Sequence, residues 1–416
     1  MEVVAARGSL RAWVPRGLLQ LDRWDGQQAS GDGLVAVELA WMDGRLLAPR
    51  VLSDAEPRPH SLALPRFADP HVHLDKAFTW SEAPNFTGTY DGALAANLQE
   101  HRFRTKEGVL ERGDRALRLA CSHGLRALRS HIDSVGPGAA ASWSALLELR
   151  SRWSHAIDLQ LVALAPLDYW SSAEGLALAQ EVGANGGLLG GVLVPPFRAV
   201  DVRRQVHALL DLAEKVGCGI DLHIDEAGIQ PAAGLNQLLA VLDQRPCSIP
   251  ITCSHCSSLG LASRDQQRRI AERLAQHQVA VVALPLTNGW LLGRQGDQTP
   301  VLKPLAPIRT LQRAGVTVAV GADNVVDPWF PVGDLDPLSL MASALPLTQL
   351  APWERLGLAP FTTAAAAAMN LSWTGLLHNG APADLLVLEA TSWSEALCRP
   401  KRRVLVAGRW WSARSR

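Results

Sequence analysis

Long hydrophobic runs are missing from this 416-residue chain: the longest, such as Val279 to Leu286, fall well short of the roughly 20 apolar residues that cross a bilayer. Charge of one sign is missing too. Forty Lys and Arg stand against forty Asp and Glu, so no net field concentrates nucleic acid or an anionic membrane, and a small neutral partner fits better. Cysteine is scarce, six residues at irregular spacing, which excludes a disulfide scaffold and makes reduced thiols the default. Only Cys253 and Cys256 have CxxC spacing. No second CxxC follows and both lie in the strand-like run ITCSHCSS, so a redox pair or half a zinc site is a minor reading. The start, MEVVAARGSLRAWV, has no long apolar core or cleavage site, and the expectation is a soluble cytoplasmic protein. A hydrophobic share of 48%, with 34 Gly and 26 Pro, excludes disorder and collagen. The length suggests two or three domains, or one large barrel with an appendage, and leaves a homo-oligomer open.

What is present is alternation. Eight apolar segments recur between residues 67 and 324: FADPHVHL (67–74), GLRALRSHID (124–133), DLQLVALAP (158–166), GGVLVPP (190–196), GIDLHIDE (219–226), ITCSHCSS (251–258), VAVVALPLT (279–287) and VTVAVGADN (316–324). Stretches between them, such as residues 108–122 and 264–277, place apolar residues every three or four positions, as helices on the outside of a barrel do. The expected class is α/β, a (β/α)8 TIM barrel over 67–371. Its strand ends would gather His71, His73, His131, His223, Glu226, His255, Asp323 and Asn324 at one mouth. Residues 33–52 read as two strands joined around Asp43-Gly44, and 379–389 and 402–411 look like strands. The two chain ends, 1–66 and 372–416, are therefore expected to pair into a small β-sandwich domain. Ala364 to Ala368 reads as a packing helix.

His71 and His73 are two apart on a strand and so face the same side. Alone, such a pair can equally satisfy each other or the backbone. With His223 ending the fifth strand, His255 in the sixth and Asp323 ending the eighth, the set has the imidazole and carboxylate donors that zinc or ferrous iron takes. Glu226, three residues after His223, is placed to move protons beside the metal, where an isolated glutamate would read as a solvated loop acid. His131 and Asp133 could support the ligands from behind, or His131 could be a satisfied core histidine.

The motifs ADPHVHLDK, RSHID, DLHIDE, TCSHCSS, PLTNGWLLGR and GADNVVDPWFPVG, in this order, resemble the cytosine deaminase branch of the amidohydrolase superfamily, and NGAPADLLVLE resembles that superfamily's turn into its C-terminal sandwich. The resemblance implies one catalytic divalent ion, zinc or iron, held by His71, His73, His223 and Asp323. It also implies Glu226 as proton shuttle and His255 placed against the activated water, with a ring amino group exchanged for a carbonyl. The fourth strand, GGVLVPPF, offers no bridging lysine, aspartate, glutamate or histidine, which argues for one metal. The HxE and PCxxC pairing of the cytidine-type deaminases is lacking.

The substrate motifs depart from that branch. Pro166 and Leu167 stand where its glutamine holds the pyrimidine edge, and Asn324 stands where it has a second aspartate, which puts a donor and acceptor in place of an acceptor. Trp329 matches an aromatic pocket residue that could stack on a flat heterocycle, or pack its loop. Two unpartnered polar edges at about 1–3 kcal/mol each lower efficiency roughly 10²- to 10⁴-fold, so poor use of cytosine is expected. Lys76 resembles the branch that hydrolyses N-substituted amino-triazines, whereas HIDE after the fifth strand resembles the nucleobase type. The alternative reading is a hydrolase of a cyclic amide or N-substituted amino-triazine on the same scaffold.

Overall fold

The computed structural model describes residues 7–21 and 29–412. All eight expected apolar segments form strands of one parallel sheet, in chain order: Phe67–Val72, Leu125–Asp133, Asp158–Leu164, Leu188–Leu193, Ile220–Ile224, Ile251–His255, Ala280–Ala283 and Val318–Val320. Four of them are buried at every residue, as strands covered on both faces require. In-register pairs such as Ile220 with Ile251 and with Leu189 align neighbouring carboxyl ends. The sheet comes back on itself where Asp323 N donates to His71 O at 2.9 Å, bridging the eighth strand's exit to the first strand. This is the TIM barrel.

Helices follow the strands with ordinary stop and start signals. Ser172 and Ser263 cap their helices by accepting from Gly175 N and Gln266 N. Helix Ala199–Val216 ends on Gly217 at φ 72°, a left-handed cap that suits glycine. The seventh strand is shorter than its apolar run. Pro285 has no N–H for the ladder and a φ preset for a helix start, so the strand ends at Ala283 and Pro285–Leu291 coils into a short helix.

The chain ends form a second eight-stranded sheet. Gly8–Pro15 pairs antiparallel with Leu34–Met42, which turns through Asp43 (φ 51°) and Gly44 (φ 75°) into Arg45–Leu46, the two-residue hairpin expected there. Leu62–Pro65, Leu385–Leu388, Arg402–Val406 and Arg409–Trp410 extend the sheet, and Arg50–Val51 pairs beside Leu34–Met42. Its core includes Val14, Val37, Leu39, Leu385 and Leu405. The chain divides into two compact units, one of Met1–Ala68, Leu117–Ala127 and Leu335–Arg416, the other of Asp69–Ala116 and Leu128–Asp334. Among the described residues no helix is long and apolar enough to cross a membrane. All six cysteines are free, and the Cys256 thiol donates to the Cys253 carbonyl.

Candidate active site

At the carboxyl ends of the barrel strands four expected residues converge. His73 Nε2 lies 3.3 Å from His71 Nε2 and 3.4 Å from His223 Nε2, and Asp323 Oδ1 lies 3.5 and 3.4 Å from His71 and His73 Nε2. None of the four is more than 5% exposed. The chain reaches this arrangement through strained backbone: Asp225, His255, Cys256 and Asp323 all have positive φ, between 49° and 71°, at strand ends where the turn must aim a side chain inward.

The sequence reading missed the groups that set the imidazole tautomers. Ser254 Oγ donates to Asp221 Oδ1 at 2.8 Å and therefore accepts from His71 Nδ1 at 2.9 Å, which leaves the lone pair of His71 Nε2 facing the cluster. Arg129 in turn donates to Asp221 Oδ2 at 2.8 Å. Burial holds His71 and His223 neutral by pushing both pKa values well below the usual histidine range. Neither Asp323 oxygen meets a donor in well-formed hydrogen-bond geometry. The neutral imidazoles of His71 and His223, both against His73 and close to a buried carboxylate, leave a gap in charge that a divalent cation with nitrogen and oxygen ligands fits. His71, His223 and His255 also group closely enough to share an ion. The fourth strand places no carboxylate, lysine or histidine at the cluster.

Glu226 and His255 adjoin the cluster and are joined by Asn288, a second residue missed from sequence. Asn288 Nδ2 lies 3.0 Å from His255 Nδ1 and 3.4 Å from Glu226 Oε1, and it arrives on the short helix that Pro285 starts. Because Nδ1 accepts this hydrogen, the proton of His255 sits on Nε2, which has no partner. Burial lowers the His255 pKa to about 4 and, with Asp323 nearby, raises that of Glu226 well above the carboxylate range.

A cavity of about 620 Å³ opens above these groups, within the size range of small-molecule sites. His73, His223, Glu226, His255 and Asp323 form its floor, and Leu167, Asn324 and Trp329, the three expected substrate contacts, line it with Tyr90 and Phe197. A Cβ on Gly191 would come within 2.6 Å of Leu167 Cδ2, so the bare glycine makes room for Leu167 at the wall. Asn324 differs from expectation. Its Nδ2 donates to Asp327 Oδ2 at 2.8 Å, and Asp327 also accepts from Trp329 N and Phe330 N, so one of the two amide hydrogens is committed and the orientation of the amide is fixed. Trp329 packs edge-on against Tyr90 at 5.0 Å and also borders the cavity, with its indole N–H unpartnered.

Two further residues from sequence take unexpected surroundings. His131 is not a satisfied core histidine: it stacks on His71 at 3.8 Å and neither ring nitrogen makes a hydrogen bond. Asp133 is drawn to Lys76 instead, which donates to its Oδ1 at 2.9 Å. Behind that pair, Arg104 donates to Asp75 Oδ2 at 2.7 Å and to Glu100, and Arg112 reaches Glu100 at 3.1 Å, all substantially buried. Replacing Arg104 by Met leaves the fully buried Asp75 without its cation, while Glu100 keeps Arg112 and Asp133 keeps Lys76, so the variant should lose about 3–5 kcal/mol in urea or thermal unfolding. A loss below about 1 kcal/mol would show that the network contributes little to stability.

Comparisons with known proteins agree with this fold. Residues 159–409 match the sequence profile described as the Amidohydrolase family. The chain is 32% identical over 382 residues to a protein named pterin deaminase from Rhizobium rhizogenes, covering 89% of this chain and 86% of that one. It is 26% identical over 358 residues to an N-isopropylammelide isopropyl amidohydrolase from Pseudomonas sp., covering 83% and 84%. The crystal structure of 5-methylcytosine deaminase from Klebsiella pneumoniae with 5-fluorocytosine shares the fold at a TM-score of 0.81, with 24% identity and 98% of both chains covered. With its profile match, its full-length relatives and this barrel, the chain belongs to the Amidohydrolase family and is a hydrolase acting on C–N bonds.

Proposed function

We propose that the protein deaminates an amino-substituted, fused two-ring nitrogen heterocycle of the pteridine class, using one divalent ion held by His71, His73, His223 and Asp323. The observation that carries this reading is the convergence of those four buried groups beside Glu226 at the floor of a 620 Å³ cavity. The likeness to the pterin deaminase over most of both chains supports the ring class. Zinc or iron in this donor set supplies Lewis acidity that makes water nucleophilic near neutral pH.

The chain's own groups do the rest. Glu226 takes one proton from the attacking water to a ring nitrogen, then takes the second from the added hydroxyl to the leaving amine. The unpartnered Nε2–H of His255 is available as a donor to the incoming oxygen, and Asn288 holds His255 and Glu226 in one arrangement. The water oxygen bonds to the amino-bearing carbon, the C–N bond breaks with its electron pair leaving on nitrogen, and ammonia departs from a ring carbonyl. Trp329 and Phe197 offer flat and apolar surface to the ring.

Ammonia release from a panel of aminopteridines, cytosine, guanine and N-alkylamino-triazines tests the reading. An aminopteridine should be turned over at least about fivefold more efficiently than cytosine, since Leu167 offers no polar partner to a pyrimidine edge. One such unpartnered edge costs about 1–3 kcal/mol, or roughly 5- to 150-fold. Cytosine used with a kcat/KM of about 10⁴ M⁻¹s⁻¹ or more would show that Leu167 does not control recognition. Release of an alkylamine from the triazines alone would favour the N-substituted amino-triazine reading.

A further inference from the structure

Helix Tyr90–His101 lays one face along the cavity: Tyr90, Leu94, Asn97, Leu98 and His101 recur at three- and four-residue spacing and all line it. Two side chains on this face hold unspent polarity. Asn97 Nδ2 donates to Asp133 Oδ2 at 3.1 Å, and that carboxylate, ion-paired with Lys76, can only accept. The amide is thereby fixed with Oδ1 unpartnered. His101 Nδ1 accepts from Gly138 N at 3.4 Å, which places the ring proton on Nε2, also unpartnered. Asn97 is 5% exposed and His101 is 4% exposed. A buried acceptor and a buried donor, one helical turn apart and each lacking a mate, are unfavourable until something supplies the complement.

We propose that Asn97 and His101 form a specificity pair that binds the non-reacting end of the substrate, and that this end gives a hydrogen to Asn97 Oδ1 and takes one from His101 Nε2. The proposal rests on the deaminase reading above and narrows it. The substrate is a fused aminoheterocycle whose second ring carries an N–H beside a carbonyl, a lactam edge. Neither residue lies on an element that carries Glu226, His255 or the four converging groups, so the pair acts on binding and leaves the chemistry to them. Lys76 and Asp133 gain a positioning role here, since their ion pair sets which way the Asn97 amide faces.

The holoenzyme and its His101→Phe and His101→Gln variants decide the matter with two substrates, an aminopteridine bearing a lactam in the second ring and one lacking it. His101→Phe keeps a ring but removes the N–H. Its KM for the lactam substrate should rise about 10- to 100-fold with kcat changed less than threefold, a loss at least tenfold larger than on the second substrate. Binding of the deaminated lactam product, followed by tryptophan fluorescence, should weaken by the same factor. His101→Gln returns a donor and should recover most of the affinity, which a merely structural role for His101 would not produce. Equal losses on both substrates, an unchanged KM, or no recovery with Gln would overturn the pair as a specificity element. Failure of the wild type to release ammonia from either substrate would instead overturn the deaminase reading, and the proposal with it.

Discussion

Glu226→Gln should leave the fold and the metal content as they are and lower kcat about 10²- to 10⁴-fold, the range that a general acid–base group contributes. The amide matches the carboxylate in shape, so the cavity floor keeps its packing. It cannot take a proton from water or hand one to the leaving amine. Burial together with Asp323 raises the affinity of the Glu226 carboxyl for a proton, which suits a group that must hold a hydrogen between two transfers. Asn288 Nδ2, 3.4 Å from Oε1, keeps an oxygen to meet in the Gln side chain, so the variant tests proton transfer more than position. Saturating-substrate kinetics with a matched metal analysis make the measurement. A loss under about threefold, with chemistry limiting the rate, would remove Glu226 from the mechanism.

Removing one converging group should have an effect as large by a different route. His73→Ala takes away the imidazole in contact with both His71 and His223, and with it one contact to Asp323. Purified wild-type protein should hold close to one equivalent of divalent metal, because the fourth strand brings no bridging residue to the cluster. His71→Ala, His73→Ala and His223→Ala should each lower that occupancy, with activity falling in parallel. For His71 the loss should be reproduced in part by Ser254→Ala, which frees the ring from its link to Asp221 without touching the cluster side. Elemental analysis after extensive dialysis separates the outcomes. A reproducible two equivalents would refute the mononuclear assignment, and full occupancy in all three histidine variants would show that the ion binds elsewhere.

Much of the scaffold was legible before any coordinates because it is written in local pattern. Eight short runs rich in Val, Ile and Leu, separated by stretches with three- and four-residue apolar spacing, became eight parallel strands and their helices. The order of HxH, histidine, histidine and aspartate along those runs placed the converging groups at one mouth, since every strand of such a barrel exits on the same side. Where local pattern misled, one residue explains it: Pro285 sits inside an apolar run that reads as strand and starts a helix instead.

The details that shape the chemistry came from closure of the barrel. Ser254 is an ordinary strand serine until the sheet brings it to His71, 183 residues away, and then it sets that ring's tautomer. Asn288 is one amide among several until it meets Glu226, 62 residues away. Asn324 offers donors and an acceptor on paper, but the fully buried Asp327 takes one amide hydrogen and fixes which way the amide faces. Asn97 and His101 carry no motif at all, because a helix face becomes a recognition surface only when a cavity lies beneath it. The sequence by itself determined strand and helix periods, residue types and the order of the converging groups, all properties of neighbours along the chain. Only the tertiary structure decided which nitrogen bears a proton, which amide oxygen is free and what lines the pocket, because each depends on hydrogen bonds between residues that the fold alone makes adjacent.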